Sequence, residues 1–479
     1  MNKQMIRYVL GMVLLIEGGL LLLPLAVSLI YRESTWLHFL ITVGLCGGLG
    51  GLMVLRKPKR RSLFPKDGFV IAALTWIVIS LVGAVPFWIS GQIPRYIDAL
   101  FETVSGFTTT GSSILTRVED LNKGMLFWRS FSHWVGGMGI LVFMLALLPA
   151  MGGSTIHILR AESPGPVVGK VVPKIKDSSR ITYLIYLFLT AVLIVLYLAG
   201  GMPLFDSLCI AFGTAGTGGF GVTSASCADY SPYIQTVTTV FMLLFGVNFS
   251  VYFLLLQRKL KSALSSSELW TYLGIFGLAT LAISLNIYGS FSSFGQATRH
   301  AAFTVSSLMT TTGYATVDFN LWPEFSRVIL CILMIVGACA GSTGGGFKVS
   351  RVVILAKYAK NELQKLIHPR TVKVVKVDGK VVSSETVHGV LVYTLFYILL
   401  IAVSILLVSL DNQDASTTLT AVLATANNIG PGLNAVGPTA SFAALSDLSK
   451  GVLCLDMLAG RLEIFPLLVL LLPSTWAKK

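Results

Sequence analysis

Thr109-Thr110-Gly111-Ser112 is the first of four short glycine turns that decide the fold of this 479-residue chain. The other three turns are Thr217-Gly218-Gly219-Phe220, Thr311-Thr312-Gly313-Tyr314 and Asn428-Ile429-Gly430-Pro431. Each turn follows a short amphipathic stretch and precedes a long apolar one. The glycines that we align with one another are Gly111, Gly218, Gly313 and Gly430. Their spacing of roughly a hundred residues is too long for a solenoid repeat. It predicts four copies of one re-entrant unit that close around a common axis.

Composition places these turns in a membrane. The chain is 54% hydrophobic and only 12% charged, with a mean hydropathy of +0.78. A soluble domain carries a charged fraction of roughly 25%. Many apolar runs reach the roughly 20 residues that cross a bilayer as a helix. The first run, residues 9–30, is too long for a signal-peptide core, and we expect it to be retained.

The basic residues predict how the chain is oriented in the membrane. The net charge is +14, and the Lys and Arg residues cluster between alternate spans, at 3–7, 56–66, 160–180, 258–261, 348–380 and 478–479. By the positive-inside rule, both termini are expected in the cytoplasm. Membrane topology thus accounts for the charge, and we predict no nucleic-acid partner. Acidic residues on the outer side predict a negative mouth that concentrates cations: Asp98, Glu102, Glu119, Asp120, Asp206, Asp229, Asp411 and Asp414.

The spans divide into two plain helices, at about 9–31 and 36–55, and four units of span, half-helix, turn and span. The half-helices are predicted at about 96–107, 203–213, 296–309 and 415–427, and the first spans begin near Phe69, Ile181, Glu268 and Glu385. The sequence therefore predicts an all-α polytopic membrane protein with ten spanning helices and four half-helices around one pore. The predicted divisions are 1–66 for the N-terminal helices, 67–160, 161–265 and 266–370 for units 1 to 3, 371–384 for a cytoplasmic hairpin, and 385–479 for unit 4.

The four turns have the chemistry of a cation site. A half-helix that enters from outside points its partially negative C-terminal end toward the bilayer centre. Backbone carbonyls and Thr hydroxyls are the oxygen ligands that replace water around an alkali cation, and glycine permits the backbone angles that such a ring needs. The predicted ligands are the sixteen residues Thr109, Thr110, Gly111, Ser112, Gly216, Thr217, Gly218, Gly219, Thr311, Thr312, Gly313, Tyr314, Asn428, Ile429, Gly430 and Pro431. The alternative is that these are ordinary tight turns at helix ends.

A second glycine cluster interrupts the second span of unit 3, about residues 325–359. Its members are Gly341, Ser342, Thr343, Gly344, Gly345 and Gly346. Three consecutive glycines would each cost a helix about 1 kcal/mol, so we expect a break inside the membrane, and we expect it in this unit alone. The break is either a kink for close helix packing or a movable gate, to which we also assign Lys348.

Arg461 interrupts the last span, and a charge at that depth indicates a functional residue. Two interpretations remain open. Arg461 either forms an internal ion pair with Glu463 or snorkels to the membrane surface, or it lies near the pore axis as a barrier or a partner of the glycine cluster.

The cytoplasmic segment 371–384 alternates valine with polar residues around Asp378-Gly379, which predicts a β-hairpin with a type I′ turn. Together with nearby Lys and Arg residues it forms a basic inner face, for which a soluble partner and anionic membrane lipid are equally suitable. The six cysteines have neither metal-ligand nor disulfide spacing.

The motifs of this sequence match those of a known family over essentially the whole chain. They are the four turns, Phe127-Trp128-Arg129-Ser130, Trp134-Val135-Gly136-Gly137-Met138-Gly139, the cluster at 341–348 and Gly460-Arg461-Leu462-Glu463. With these the chain resembles the TrkH/KtrB/HKT superfamily of potassium transporters, and its two extra N-terminal helices are similar to the TrkH branch. Two positions depart from the family pattern: Gly216 stands where Ala is more common, and Ile429 replaces a Thr.

The resemblance implies uptake of K⁺, and also of Rb⁺, across the bacterial inner membrane, with K⁺ as the transported ion and no cofactor bound by this chain. Glycine rather than serine at position 111 implies K⁺ selectivity over Na⁺. The resemblance further implies a homodimer with one pore per chain, a cytoplasmic ring of nucleotide-binding regulatory subunits of the TrkA type, and a gate at 341–346 with Arg461 beside it.

Two other classes of protein are compatible with parts of this pattern. A secondary transporter that couples K⁺ to H⁺ or Na⁺ also uses broken helices, but it is usually built from inverted repeats, whereas these four units run in the same direction. A membrane enzyme is disfavoured because the sequence offers no converging His, Asp and Cys residues.

Overall fold

The computed structural model describes residues 1–59, 63–139, 175–370 and 373–476, and side chains within 175–179 are excluded. Six helices of this part are long and apolar enough to cross a membrane: Lys3–Ile30, Trp36–Leu55, Pro65–Ile89, Arg180–Ala199, Ser267–Ser290 and Ser384–Asp411. They correspond to the two predicted N-terminal helices and the four predicted first spans. Residues 60–62, 140–174, 371–372 and 477–479 lie outside the described part, with most of the 160–180 basic cluster and the terminal lysines.

The N-terminal helices form a tightly packed pair. Helix α1 covers Lys3–Leu20, α2 covers Leu22–Ile30 and α3 covers Trp36–Leu55. Pro24 lacks the N–H that would bond to the preceding turn, which accounts for the break between α1 and α2. A Cβ atom at Gly11 of α1 would lie 2.7 Å from the Met53 Cβ of α3, so this glycine lets the two helices approach closely.

Four units follow, each with the predicted order of elements. Unit 1 contains α4 (Pro65–Gly83), α5 (Val85–Ile89), the half-helix α6 (Tyr96–Phe107) and α7 (Lys123–Gly137). Unit 2 contains α8 (Ile175–Ala199), the half-helix α9 (Leu204–Gly216), α10 (Pro232–Gly246), α11 (Phe249–Leu256) and α12 (Leu260–Leu264). Unit 3 contains α13 (Ser267–Ile287), the half-helix α14 (Phe294–Met309), α15 (Glu324–Val336) and α16 (Val349–Ile367). Unit 4 contains α17 (Ser384–Val408), the half-helix α18 (Ala415–Ala426), α19 (Asp447–Arg461), α20 (Phe465–Leu471) and α21 (Pro473–Trp476).

The half-helices lie inside the bundle and the first spans lie at its surface. Phe101 of α6 and Phe303 of α14 are fully buried. The first spans instead expose large apolar side chains, such as Leu278, which is 72% exposed. Half-helices with polar ends are thereby shielded from lipid, as irregular backbone at membrane depth requires. Short 3₁₀ helices in the loops cover Val118–Asp120, Tyr288–Ser290, Phe319–Leu321, Ser409–Asp411, Asn434–Val436 and Phe442–Ala444.

The expectation that only unit 3 has a broken second helix is wrong. In unit 2, α10 and α11 meet at an angle of 89°. In unit 4, the chain breaks between α19 and α20, where Glu463 and Ile464 both have positive φ, 56° and 66°. The second helix of unit 1 is described only as far as Gly139. The sequence does not predict these two breaks because neither contains a run of glycines. The surrounding packing, rather than local helix propensity, produces them.

The predicted hairpin is present. Strands β1 (Lys376–Val377) and β2 (Lys380–Val381) pair antiparallel, and Asp378 and Gly379 have φ values of 51° and 75°. Positive φ at both central residues is the type I′ geometry. A hairpin of this size is marginal alone, and neighbouring segments hold it: Asp378 accepts a 2.7 Å hydrogen bond from the Ser267 N–H.

Candidate functional site: a ring of four turns

The four turns share one backbone conformation, which we number by position within each turn. The first-position residues are left-handed, with φ of 55°, 55°, 60° and 55° at Thr109, Thr217, Thr311 and Asn428. The third-position residues are glycines with φ of 82°, 80°, 87° and 104° at Gly111, Gly219, Gly313 and Gly430. A residue with a side chain adopts such angles only with strain, so glycine is required at the third position.

This geometry corrects the alignment of the second turn. Gly219, not Gly218, occupies the position of Gly111. Gly218 lies at the second position, level with Thr110, Thr312 and Ile429. Gly216, predicted as a ligand, is the last residue of α9 and precedes the turn. Two consecutive glycines look alike in a sequence, and only their φ angles distinguish them.

The four turns close into a ring in chain order. Each third-position glycine packs so tightly against the second-position carbonyl oxygen of the next turn that an added Cβ would collide with it. The pairs are Gly111 with Gly218, Gly219 with Thr312, Gly313 with Ile429, and Gly430 with Thr110. For the last pair the Cβ would lie 2.8 Å from the oxygen. The second-position carbonyls thus join the four turns into one closed ring of contacts.

The hydroxyl groups of the turns are not equivalent. Thr110 and Thr312, at the second position, are each 2.8 Å from the hydroxyl of the threonine two residues earlier. At the first position, by contrast, Thr109 Oγ1 and Asn428 Oδ1 are buried and have no hydrogen-bond partner among the described residues. Of the first-position side-chain oxygens, those of Thr109 and Asn428 are therefore available as ligands, whereas Thr217 Oγ1 donates to the Gly216 carbonyl and Thr311 Oγ1 accepts from the Gly345 N–H.

A cavity of about 270 Å³ opens above the ring. Glycine, hydroxyl-bearing and apolar residues line it, and Arg129 is its one charged side chain among the described residues. None of the acidic side chains expected at the mouth lines this cavity. Glu102 is buried and bonds to Arg129 at 2.5 Å, and Asp98 accepts a 2.6 Å hydrogen bond from Lys450. Both acids are neutralised by basic side chains from second helices.

The pair of Glu102 and Arg129 ties turns 1 and 2 together. Glu102 accepts hydrogen bonds from the Ser113 hydroxyl and the Ile114 N–H, at 2.9 and 3.0 Å. Arg129 donates to the Gly221 carbonyl at 2.9 Å, and its guanidinium lies 3.5 Å from the centre of the Phe220 ring. Sequence reasoning missed this pair, although an arginine inside an apolar helix was a usable signal.

The glycine cluster 341–346 lies directly against the inner end of the ring. The Gly345 N–H donates to Thr311 Oγ1 at 2.6 Å. A Cβ at Gly344 would lie 2.8 Å from the Thr310 carbonyl oxygen, and one at Gly345 would lie 2.5 Å from that of Asn427. The helix break therefore places this segment under turns 3 and 4, so close to their backbone that only glycine fits.

Charged side chains anchor the segment. Arg461 donates to the Thr343 carbonyl at 2.9 Å and to those of Gly136 and Gly137 in α7, the latter at 2.8 Å. Lys348 donates to the Gly344 carbonyl. The charge partner of Glu463 is Arg351, which decides against the interpretation that Arg461 pairs with Glu463.

The break in unit 2 holds the other side of the segment. Phe249 donates its N–H to the Gly341 carbonyl at 3.0 Å, and Cys339 donates to the Gly246 carbonyl at 3.1 Å. Glu268, at the start of α13, accepts the Ala340 N–H at 2.6 Å. Glu268 was named from the sequence only as the start of a span, because its partner lies 72 residues away.

The fold and site together define a multi-pass membrane protein built around a closed ring of four re-entrant turns. The chain belongs to the TrkH family of cation transport proteins, whose sequence profile matches residues 49–477. This confirms the resemblance found from the motifs.

Similar proteins cover the whole chain. The Trk system potassium uptake protein TrkH of Halomonas elongata is 35% identical over 485 residues, 100% of both chains. The protein of the same name from Salmonella typhimurium is 36% identical over 489 residues, 99% of this chain and 100% of its own. The crystal structure of the potassium transporter TrkH from Vibrio parahaemolyticus superposes with a TM-score of 0.89 at 34% identity, covering 100% of both chains. The predicted fold class is thereby confirmed.

Proposed function

We propose that this protein takes up K⁺ through the ring of four turns. The observation that carries the proposal is the closure of the ring, in which one carbonyl oxygen from each unit packs against the glycine of the neighbouring turn. Such a ring replaces the hydration shell of an alkali cation. The similar proteins are named as potassium uptake proteins, which supports K⁺ as the ion.

The proposed path runs from the outer cavity through the ring. A dehydrated K⁺ ion, or Rb⁺, would meet the carbonyls of the second and third positions and then the side-chain oxygens of Thr109 and Asn428 at the first. Four half-helices ending at the turns direct their partially negative ends toward this ion. Backbone dipoles thereby attract the cation.

We further propose that residues 341–346 close the inner end of the path. Their contacts with Thr311 and with Asn427 hold the segment against the ring. The flanking residues Gly337 and Lys348 have positive φ values of 72° and 82°, which mark the two ends of the helix break. Opening then requires breaking the bonds to Arg461, Lys348 and Glu268. A cytoplasmic nucleotide-binding ring of the TrkA type is the proposed agent, acting on the basic face around the hairpin.

The proposed setting is the bacterial cytoplasmic membrane, with both termini in the cytoplasm and two copies of the chain per assembly. The asymmetry of the basic clusters supports the orientation. The proposed division of the chain into units follows the sequence boundaries given above.

A coupled transporter of K⁺ with H⁺ or Na⁺ is the second candidate, and the breaks in the second helices of units 2, 3 and 4 favour it, since carriers use discontinuous helices. Flux that rises in proportion to the driving force supports a pore. Flux that saturates with a fixed ion stoichiometry supports a carrier.

The test of the proposed function is Rb⁺ flux into liposomes containing the purified protein, with Na⁺ as competitor. We expect Gly111→Ser to weaken the preference for Rb⁺ and K⁺ over Na⁺, because the added side chain would press on the Gly218 carbonyl. A parent protein without Rb⁺ flux, or a variant with the parental preference, would contradict the assignment of the ring.

A further inference from the structure

His133 of α7 lies behind the ring, between turns 1 and 2. Its side chain is fully buried, and Nδ1 is 2.7 Å from the Gly106 carbonyl oxygen at the end of the half-helix α6. Because a carbonyl oxygen only accepts, Nδ1 carries the proton in this bond. On its other side, the imidazole packs on the Phe220 ring with centroids 4.2 Å apart.

The imidazole fills the space of a missing side chain in the ring. At the second position, three turns carry a side chain (Thr110, Thr312 and Ile429), whereas turn 2 has Gly218. A Cβ at Gly218 would lie 2.5 Å from His133 Cδ2 and closer still to other ring atoms. Gly216 also packs closely against His133, since a Cβ at Gly216 would lie 2.6 Å from the His133 carbonyl carbon. A histidine from a neighbouring helix therefore takes the place that the turn's own side chain takes elsewhere.

This arrangement has a consequence for the carbonyl of Gly218. Glycine without a neighbour samples a wide range of backbone angles. The Gly218 oxygen is also the one against which Gly111 of turn 1 packs. A movement of Gly218 would therefore disturb both turn 2 and turn 1. The imidazole of His133, which contacts Gly218 on the side away from the pore axis, restricts that movement.

We propose that His133 is a specificity-determining residue that positions the Gly218 carbonyl, and with it the spacing of the ring that separates K⁺ from Na⁺. It acts through Gly218 and does not touch the ion. The inference rests on the proposed function, since it concerns the selectivity of the same ring.

The test is a swap of volume between the two positions. We expect His133→Ala to lower the ratio of K⁺ to Na⁺ flux by roughly tenfold, which corresponds to about 1.4 kcal/mol of discrimination. Gly218→Thr alone should abolish flux, because its side chain collides with the imidazole. The double variant H133A/G218T should recover flux with a higher K⁺ to Na⁺ ratio than H133A, since threonine is the residue of turns 1 and 3.

Two further variants separate positioning from folding. His133→Asn keeps a donor for the Gly106 carbonyl but removes the ring, so it should fold and still lose selectivity. His388→Ala, at an exposed site on α17, should leave the ratio unchanged. A folded H133N with the parental ratio would overturn the inference, as would a double variant no more selective than H133A. A parent that does not discriminate K⁺ from Na⁺ would overturn the proposed function as well, so the two failures are distinguishable.

Discussion

Replacement of Arg461 by leucine should raise the basal flux of the protein. Arg461 links the 341–346 segment to α7 by donating to the Thr343 carbonyl on one side and to Gly136 and Gly137 on the other. Leucine has a comparable apolar stem but no donor. The closed position of the segment would then lose one charge-assisted bond and leave the Thr343 carbonyl unsatisfied.

The size of the effect follows from that single bond. A hydrogen bond to a charged group contributes about 1.5–3 kcal/mol. Its loss would shift the ratio of open to closed segments by roughly tenfold to a hundredfold. The bonds to Gly136 and Gly137 do not involve the segment, so their loss should appear as lower stability of the protein and not as flux.

The assay is the initial rate of Rb⁺ uptake into liposomes per folded protein, with unfolding in detergent measured in parallel. Arg95→Leu is the matched control, because Arg95 pairs with Asp447 at the surface and its side chain is 56% exposed. Arg461→Leu with a rate equal to the parent and to the control would refute the role of the segment as a gate held by Arg461.

Three other variants test separate parts of the site. Gly219→Ala should weaken the preference for Rb⁺ over Na⁺, as expected for Gly111→Ser, because its Cβ would likewise collide with the carbonyl of the next turn, and the parental preference would contradict the revised register. Glu102→Leu leaves Arg129 buried and unpaired, which should cost about 3–5 kcal/mol in equilibrium unfolding in mixed micelles; a stability equal to the parent would show that the pair is not needed. Thr311→Val removes the acceptor of the Gly345 N–H, a bond of about 1 kcal/mol, and should raise the basal rate roughly fivefold; an unchanged rate would mean that this bond does not hold the segment.

Local signals predicted the elements well. The half-helix α6 has the predicted ends, because its flanking residues and amphipathic pattern are local features. The hairpin was predicted for the same reason, since Asp378-Gly379 determines its turn whatever surrounds it. The glycine cluster was likewise predicted to break the second helix of unit 3, and α15 and α16 flank it.

Contacts between residues that are distant in the chain could not be predicted from the sequence. Glu102 was predicted to face the mouth, yet it is buried against Arg129, because the charge of a residue does not tell which side of a half-helix it occupies. The break near Gly246 depends on hydrogen bonds to the 341–346 segment, which come from another unit. The role of His133 is likewise not apparent from the sequence, since only the structure places its imidazole against Gly218 at the second position of turn 2.

The ring is four-fold in plan, but two different structures support it. Helix α7 supports turns 1 and 2 from behind, through Arg129 and His133. The 341–346 segment contacts turns 3 and 4 from the inner side, through Gly344 and Gly345. A movement of that segment therefore changes the surroundings of turns 3 and 4 first, while the wall behind turns 1 and 2 stays in place. It follows that variants behind turns 1 and 2 should alter the choice of ion at a nearly constant basal rate. Variants under turns 3 and 4 should alter the basal flux at a nearly constant ratio of K⁺ to Na⁺ flux. The four similar sequence motifs do not predict this difference between the two halves of the ring.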